Sequence, residues 1–282
     1  MESGVLYNYK LLNDMKSCTT SHGVVHFFLI DMLRGKQMRI LLCDTVFDIR
    51  NRYPYIEEYC REYLYSGEQK ADFSMIITQE DITYEREKSR QEDIKEGRKV
   101  RIFRDDYLET LAVYRKVCRC LLEKNIILFH GSVVSVDGKA YLFTAKSGTG
   151  KSTHTRYWIE YLKEKAVIVN DDKPLIAVND NKTIVYGTPW DGKHRLSTNI
   201  SVPLKAICIL HRGSENSIRR MDKKEAYPML LQQTNRPVGD VPGMSKTLKL
   251  IDKLSNGVEF YSLHCTMNME AAKVAYEGMR EL

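Results

Sequence analysis

The sequence contains no apolar run long enough to cross a membrane and no signal-peptide pattern at its beginning. Its longest apolar runs, such as those at residues 126–129 and 206–210, have the length of strands, whereas a membrane-spanning helix needs about 20 apolar residues. Residues 1–4 lack the basic-then-apolar order of a signal peptide. We therefore expect a cytoplasmic protein that has no membrane partner.

The chain also lacks a strong excess of charge and a paired-cysteine motif. Its 43 Lys and Arg against 37 Asp and Glu give a net charge of +6, and no basic run is dense enough to predict a nucleic-acid surface. The seven cysteines are scattered and contain no Cys-x-x-Cys pair, which argues against disulfides and against a zinc site. We interpret them as reduced, mostly buried thiols.

The remaining composition is that of a globular protein, with 43% hydrophobic and 28% charged residues. We predict a domain boundary near residue 105. Residues 1–105 are predicted to form a small α+β domain of unknown role. Its predicted elements are strands at 24–30, 38–42 and 74–77, a short helix at 56–65, and a charge-dense surface helix or loop at 79–104.

Residues 106–282 are predicted to form a larger α/β domain. An amphipathic helix begins it, with Asp105 or Asp106 as the N-cap. Two strand-like runs then flank Asp137-Gly138, which is a strong hairpin signal because both turn residues need positive φ. The elements predicted in and after this hairpin are strands at 132–136, 139–144, 166–169, 203–210 and 258–263, and helices at 152–163, 222–234, 245–254 and 268–280.

Residues 145–152, Ala-Lys-Ser-Gly-Thr-Gly-Lys-Ser, match a phosphate-binding loop at every fixed position except the first glycine. Gly148 and Gly150 allow the backbone to bend so that successive N–H groups face phosphate oxygens. Lys151 is predicted to reach the β- and γ-phosphates of ATP, and the hydroxyl of Ser152 to bind Mg²⁺. The nucleotide-binding residues predicted here are Ser147, Gly148, Thr149, Gly150, Lys151, Ser152 and Thr153.

Two adjacent carboxylates, Asp171 and Asp172, follow the buried-type strand at 166–169. Phosphoryl transfer needs an acid that holds Mg²⁺ and a base that accepts the proton of the attacking hydroxyl. Side chains of adjacent residues on an extended segment point in different directions. We therefore expect the pair to divide these roles, and the sequence leaves open which is the metal ligand and which the base.

His130 is placed by the predicted hairpin. If Asp137-Gly138 forms a two-residue turn, Val136 pairs with Lys139, and continuing this pairing sets His130 opposite Ala145 at the mouth of the phosphate loop. From that position His130 can orient one of the two aspartates or lie in the outer shell of the metal. It is therefore a candidate catalytic residue.

A loop at residues 187–195 is rich in groups that suit the rim of an active site. Lys193 and Arg195 are candidates to balance the charge of the transferred phosphoryl group, and Asp191 to support the metal or the acceptor. The alternative is an ordinary surface turn with a packed Trp190. For His154, on the helix after Ser152, we consider a surface position without a role equally compatible with the sequence.

Residues 128–172 resemble the HPr kinase/phosphorylase family, which shares a nucleotide fold with phosphoenolpyruvate carboxykinases. The resemblance consists of His130-Gly131-Ser132, the hairpin that leads into the phosphate loop, and Asn170-Asp171-Asp172, in that order. It implies a mixed-sheet α/β P-loop kinase core of that type after the smaller N-terminal α+β domain. It also implies that His130 lies beside the acidic pair, that one aspartate is the base toward a serine hydroxyl, and that the protein is a homo-oligomer.

Two departures from that family leave the acceptor open. The Glu-containing, Arg-Gly-rich signature of HPr kinases is missing after the acid pair, and residues 1–105 do not match their N-terminal domain. The sequence thus predicts a Mg²⁺- and ATP-dependent kinase acting on a hydroxyl, of a serine in a peptide or protein or of a small metabolite. The alternatives are an ATP-binding regulatory protein without phosphotransfer, a simple ATPase, and a carboxykinase-like phosphotransferase.

Overall fold

A computed structural model describes residues 36–146, 148–180, 182–192 and 194–280. The chain divides into two compact units, Met1–Lys116 and Val117–Leu282. The predicted strand at 24–30 lies outside the described residues. Among the helices of the described ranges, none combines the length and the apolar character that crossing a bilayer requires.

The described part of the first unit contains a small mixed sheet. Strand β1 (Lys36–Leu42) pairs antiparallel with β2 (Thr45–Asn51), and β2 pairs parallel with β3 (Phe73–Ile76). The turn between β1 and β2 consists of Cys43 and Asp44, with φ of 52° and 54°, which is the backbone of a tight two-residue hairpin. Strand β2 was not predicted, because Cys-Asp is not one of the residue pairs that normally signal such a turn.

Helices complete this unit. They are α1 (Tyr55–Tyr59), followed by a 3₁₀ turn (Arg61–Tyr63), then α2 (Gln79–Lys95) and α3 (Asp105–Glu123), whose residues from Val117 onward belong to the second unit. A capping box between Thr78 and Asp81 begins α2. The charge-dense stretch is therefore a helix as far as Lys95. The surface assignment needs one correction, because Glu85 and Asp93 are buried.

The second unit is built on a mixed sheet of nine strands within the described residues. The strands are β4 (Ile126–Leu128), β5 (Ser132–Val136), β6 (Lys139–Thr144), β7 (Ala166–Asn170), β8 (Leu175–Val178), β9 (Thr183–Tyr186), β10 (Ser201–Arg212), β11 (Ser217–Met221) and β12 (Glu259–Cys265). Their order is β4-β8-β9-β10-β6-β5-β7, with β12 also paired to β10, and β11 to β12. The predicted hairpin is confirmed, including the pairing of Val136 with Lys139.

Strand direction brings several loops to one end of this sheet. Strands β6, β10 and β12 are parallel, whereas β5 is antiparallel to both β6 and β7. Strand β7 therefore runs in the same direction as β6, and the carboxyl ends of β6, β7, β10 and β12 lie at the end of the sheet where β5 begins. Ligands of open α/β sheets bind outside the carboxyl ends of the strands.

Helices cover both faces of the central strands. Consecutive residues of a strand point to opposite faces, so neighbouring residues of β6 pack against different helices. On one face, Leu142 of β6 lies in the same buried cluster as Leu230 and Leu254. On the other face, Phe143 shares a cluster with Trp158 and several small residues. The helices that carry these residues are α5 (Lys223–Gln233) and α6 (Val241–Gly257) on the first face, and α4 (Lys151–Leu162) and α7 (Met269–Arg280) on the second.

The predicted α/β class is confirmed for this unit, and each predicted helix and strand of residues 106–280 overlaps an observed one. Strands β8, β9 and β11 were not predicted. The cysteines within the described residues form no disulfide bonds and are buried except for the partly exposed Cys120; Cys18 lies outside those residues.

Candidate phosphate and carboxylate site

The connection between β6 and α4 has the backbone that a phosphate loop requires. Gly148 and Gly150 have positive φ values, 76° and 118°, which residues with a side chain rarely adopt. A Cβ at position 150 would also lie 2.8 Å from Cε of Met267. The N-terminus of α4 follows at Lys151, so its free N–H groups and its dipole favour an anion at this loop. Ser147 lies outside the described residues.

The side chain of Lys151 lies against the first residue of this loop. Its ammonium Nζ is 3.4 Å from the carbonyl oxygen of Ala145. Burial lowers the pKa of Lys151, although the nearby charges of Asp172 and Asp171 act in the opposite direction. The structure thus brings the lysine and both predicted carboxylates into one electrostatic environment.

Asp171 is buried at the end of β7 and is surrounded by hydroxyl groups. Its Oδ1 accepts hydrogen bonds from Ser132 Oγ at 2.6 Å and from Thr155 Oγ1 at 3.4 Å, and the side chain of Ser152 also donates to it. Burial raises the pKa of Asp171, and the three hydroxyl donors only partly offset that effect. The predicted metal-binding hydroxyl of Ser152 therefore lies directly beside a carboxylate.

Asp172 has a different environment, as the adjacent positions predicted. Its Oδ1 is 3.3 Å from Nε2 of His130, and its side chain is 31% exposed. Burial alone would raise the pKa of Asp172, but the hydrogen bond from His130 and the charges of Lys173, His130 and Lys151 hold it below the usual value. The more exposed carboxylate of the pair is thus the one with the lower pKa.

The turn after β7 fixes where the two aspartates point. Oδ1 of Asn170 accepts hydrogen bonds from the main-chain N–H groups of Asp172 and Lys173, at 2.9 and 2.7 Å. The N–H of Gly131 donates to the main-chain oxygen of Asp172 at 3.1 Å. Gly131, the residue after His130, is therefore hydrogen-bonded to the main chain of Asp172, the acid that the His130 ring contacts.

The loop at 187–195 borders the site, and its acid, Asp191, pairs with residues close to it in sequence. Asp191 is buried, and its Oδ2 accepts from the N–H and the hydroxyl of Ser197 at 3.0 and 2.9 Å. Its Oδ1 lies 3.5 Å from Nε of Arg195. A Cβ at Gly192 would lie 3.3 Å from Cβ of Asp172, so the loop passes beside that acid. Lys193 lies outside the described residues.

Within the described ranges, no group of three or more His, Cys, Asp or Glu side chains is arranged to hold a metal ion. Asp191 is accordingly not brought together with Asp171 and Asp172 in such a cluster. Mg²⁺ that is bound together with substrate phosphates usually takes one or two carboxylates from the protein. The adjacent oxygens of Ser152 and Asp171 are donors of that kind.

His154 requires a correction. A surface position was one interpretation of its sequence context, but the side chain is 3% exposed. Its Nε2 accepts a hydrogen bond from Nε1 of Trp158 at 3.1 Å, and its ring packs edge-on against Phe143. Burial lowers the pKa of His154 to about 4, so the side chain is a neutral part of the core.

Further residues of the site were not predicted from the sequence. Ser132 and Thr155 contact Asp171, and their hydroxyls are 2.9 Å apart. Arg212, at the carboxyl end of β10, donates from Nη2 to the carbonyl oxygen of Gly148 at 2.6 Å. Gln233, the last residue of α5, contacts His130. Only Ser132 had a local signal, since it follows His130 in the hairpin strand.

Residues 102–249, just over half of the chain, match the family described as SynChlorMet cassette protein ScmC. The chain belongs to the ScmC family. The matched segment contains the phosphate loop, both aspartates, His130, Arg212 and Gln233. The site of this ScmC-family chain therefore lies within the matched segment.

One similar solved structure is described as the Hpr(Ser) kinase/phosphatase from Coxiella burnetii. The two chains are 15% identical with a TM-score of 0.25, over 46% of this ScmC-family chain and 97% of the other. No curated protein matches the chain.

Proposed function

We propose that this ScmC-family protein is a Mg²⁺-ATP-dependent kinase that transfers the γ-phosphoryl group to a hydroxyl. The acceptor we propose is a serine of a peptide or protein, or a small metabolite. The observation that carries the proposal is the meeting of Lys151, Ser152, Asp171 and Asp172 at one end of the sheet, with Ser152 hydrogen-bonded to Asp171.

The side chains at this site fit a magnesium nucleotide. The positive-φ glycines and the N-terminus of α4 favour phosphate oxygens, and the oxygens of Ser152 and Asp171 suit a hard cation. Bound Mg²⁺-ATP supplies the phosphoryl group and a cation that neutralises the charge on its oxygens. Lys151 binds the same phosphates, since its partly desolvated ammonium already faces the loop.

The two aspartates are suited to different tasks. Asp171 is buried beside Ser152, so we assign it to the metal side of the site. Asp172 is partly exposed, is kept ionised and is held by His130, so we assign it as the base. As the acceptor oxygen bonds to phosphorus, Asp172 takes the hydroxyl proton and ADP leaves with the electron pair of the broken bond. Arg195 and Lys193 are proposed to balance phosphate charge.

The test combines nucleotide binding with phosphoryl transfer. The protein is incubated with γ-labelled ATP, Mg²⁺ and either free L-serine or a pool of serine-containing peptides, and ATP binding is measured by calorimetry. We expect Lys151→Ala to lose ATP binding. We expect Asp172→Asn to bind ATP like the parent but to transfer phosphate about 100-fold or more slowly.

Two outcomes would contradict this proposal. ATP binding without turnover in the presence of every acceptor would favour an ATP-binding regulatory protein. Transfer by both Asp171→Asn and Asp172→Asn at the rate of the parent would remove the assigned roles of the acid pair.

A further inference from the structure

Gln233 is joined to His130 twice. The main-chain N–H of His130 donates to the main-chain oxygen of Gln233 at 2.8 Å, and Nδ1 of the His130 ring lies 2.9 Å from Oε1 of Gln233. Gln233 itself is 7% exposed. Both the backbone and the ring of His130 are therefore fixed by one buried residue.

The neighbouring residues extend this attachment. Phe129 forms a β-bridge with Thr234, and the N–H of Asn235 donates to the oxygen of Leu128 at 2.9 Å. The end of α5 is thereby paired with the segment that carries His130. These bonds also satisfy the main-chain carbonyl of Gln233, which has no partner inside its own helix.

The surroundings of Gln233 determine which ring nitrogen carries a proton. Its amide nitrogen is 3.6 Å from the sulfur of Met229, a weak acceptor, which leaves the amide oxygen toward the ring. An amide oxygen only accepts hydrogen bonds, so Nδ1 of His130 must be the donor. The other ring nitrogen, Nε2, then faces Asp172 at 3.3 Å.

We propose that Gln233 is a positioning residue, which accepts a hydrogen bond from Nδ1–H of His130 and so holds the ring with Nε2 directed at Asp172. Gln233 does not touch the reacting atoms. Its effect passes through His130 to the orientation of the Asp172 carboxylate that accepts the proton. This inference rests on the proposed kinase function, but the state of the ring can be measured without turnover.

A kinetic test compares Gln233→Leu with Gln233→Glu and Gln232→Leu. Outer-shell hydrogen-bond partners at active sites typically contribute about 10- to 100-fold. We expect Gln233→Leu to lower kcat about 10-fold and to leave KM for ATP within about twofold, because the phosphate loop is untouched. Gln233→Glu keeps an acceptor for Nδ1 and should recover most of kcat. Gln232 is exposed on the same helix, so Gln232→Leu should behave like the parent.

A double variant separates positioning from general damage to the fold. If Gln233 acts through His130, His130→Ala combined with Gln233→Leu should be no slower than His130→Ala alone. Independent, multiplying losses in the double variant would overturn the proposal, as would a Gln233→Leu effect confined to the unfolding midpoint.

The ring is observed directly by NMR of the ¹⁵N-histidine-labelled protein without ATP, with the His130 signals identified by their loss in His130→Ala. We expect Nδ1 of His130 to be protonated in the parent and in Gln233→Glu, and to be protonated in a smaller fraction of molecules in Gln233→Leu. An unprotonated Nδ1 in the parent overturns the proposal. If the ring behaves as expected and no acceptor is phosphorylated, the positioning stands and the kinase function fails.

Discussion

Two buried carboxylates of the first unit, Glu85 and Asp93, have partners of a different kind from those of Asp171 in the second unit. In the first unit, Nε of Arg115 contacts Glu85 at 2.5 Å, and Asp93 pairs with the guanidinium groups of Arg98 and Arg101 at 2.9 and 2.8 Å. In the second unit, Asp171 receives its hydrogen bonds from serine and threonine hydroxyls. An arginine stays charged at any pH at which a protein folds, so it neutralises a buried acid permanently.

Hydroxyl donors affect a buried carboxylate differently from arginines. They satisfy the oxygens of Asp171 but supply no positive charge, so the carboxylate is left able to attract a cation. The direction of the pKa shift does not separate the two kinds of acid, since the pKa of Asp93 in the first unit and the pKa of Asp172 in the site are both lowered. The chemistry of the partners distinguishes an acid that stabilises the fold from an acid suited to a site.

The largest effect should come from removing the charge of Asp171. Asparagine has nearly the same shape, so we expect Asp171→Asn to slow phosphoryl transfer about 1,000-fold. The free energy of unfolding should stay the same or rise, because a buried carboxylate with a raised pKa is no longer present. Urea unfolding and transfer to the best acceptor measure the two quantities. A loss of several kcal/mol in stability would instead assign Asp171 to the fold.

The opposite result is expected in the first unit. Arg115→Ala leaves Glu85 buried without its cation and also removes a hydrogen bond to Asp81 at 3.0 Å. We expect the free energy of unfolding to fall by about 2–3 kcal/mol, measured in urea, and phosphoryl transfer by the folded protein to be unchanged. Arg90 pairs with Glu87 where both side chains are exposed, so Arg90→Ala should leave unfolding as it is. Equal losses in both variants would argue against the role of burial.

The local parts of the site could be predicted from the sequence. Asp137-Gly138 set the hairpin register, and from that register His130 was placed at the mouth of the phosphate loop. The loop, its helix and the acid pair likewise depend on consecutive residues whose chemistry can be recognised. Strand β2 was missed because its turn consists of Cys43 and Asp44, and this residue pair is not a recognisable hairpin signal.

Contacts between distant residues could not be predicted. Gln233 is 103 positions from His130, and Arg212 is 64 from Gly148. No periodicity or motif relates such residues until strand order and helix packing bring them together. The burial of His154 was missed for a similar reason, because one sequence does not show which face of α4 packs against Phe143.

Arg212 provides a smaller test of the second unit. Its guanidinium donates to the carbonyl oxygen of Gly148 and so supports the phosphate loop from outside. One such hydrogen bond is worth about 1 kcal/mol, so we expect Arg212→Ala to weaken ATP binding about fivefold and to leave kcat at saturating ATP unchanged. Arg220 pairs with Glu259 at 3.4 Å, and Arg220→Ala is the matched control. A change in kcat alone would give Arg212 a different role.

The smallest effect concerns Glu109, a buried acid of the first unit that accepts hydrogen bonds from main-chain N–H groups. Its oxygens are 2.5 Å from the N of Arg52 and 3.0 Å from the N of Tyr53. Burial raises the pKa of Glu109, and these two hydrogen bonds only partly offset it. The folded state therefore holds this proton up to a higher pH than the unfolded chain, in which the pKa of a glutamate is about 4.3.

The stability that Glu109 contributes is accordingly complete below that pH and is lost as the pH rises through the folded-state pKa. In urea unfolding between pH 4 and pH 7, the parent should lose stability with rising pH relative to Glu109→Gln, whatever the constant cost of the substitution. Parallel curves would show that its pKa is not raised. If the curves diverge while phosphoryl transfer is unaffected, Glu109 and Asp171 will share a raised pKa and neutral hydrogen-bond donors, and the neighbouring Lys151 and Ser152 will be what sets Asp171 apart.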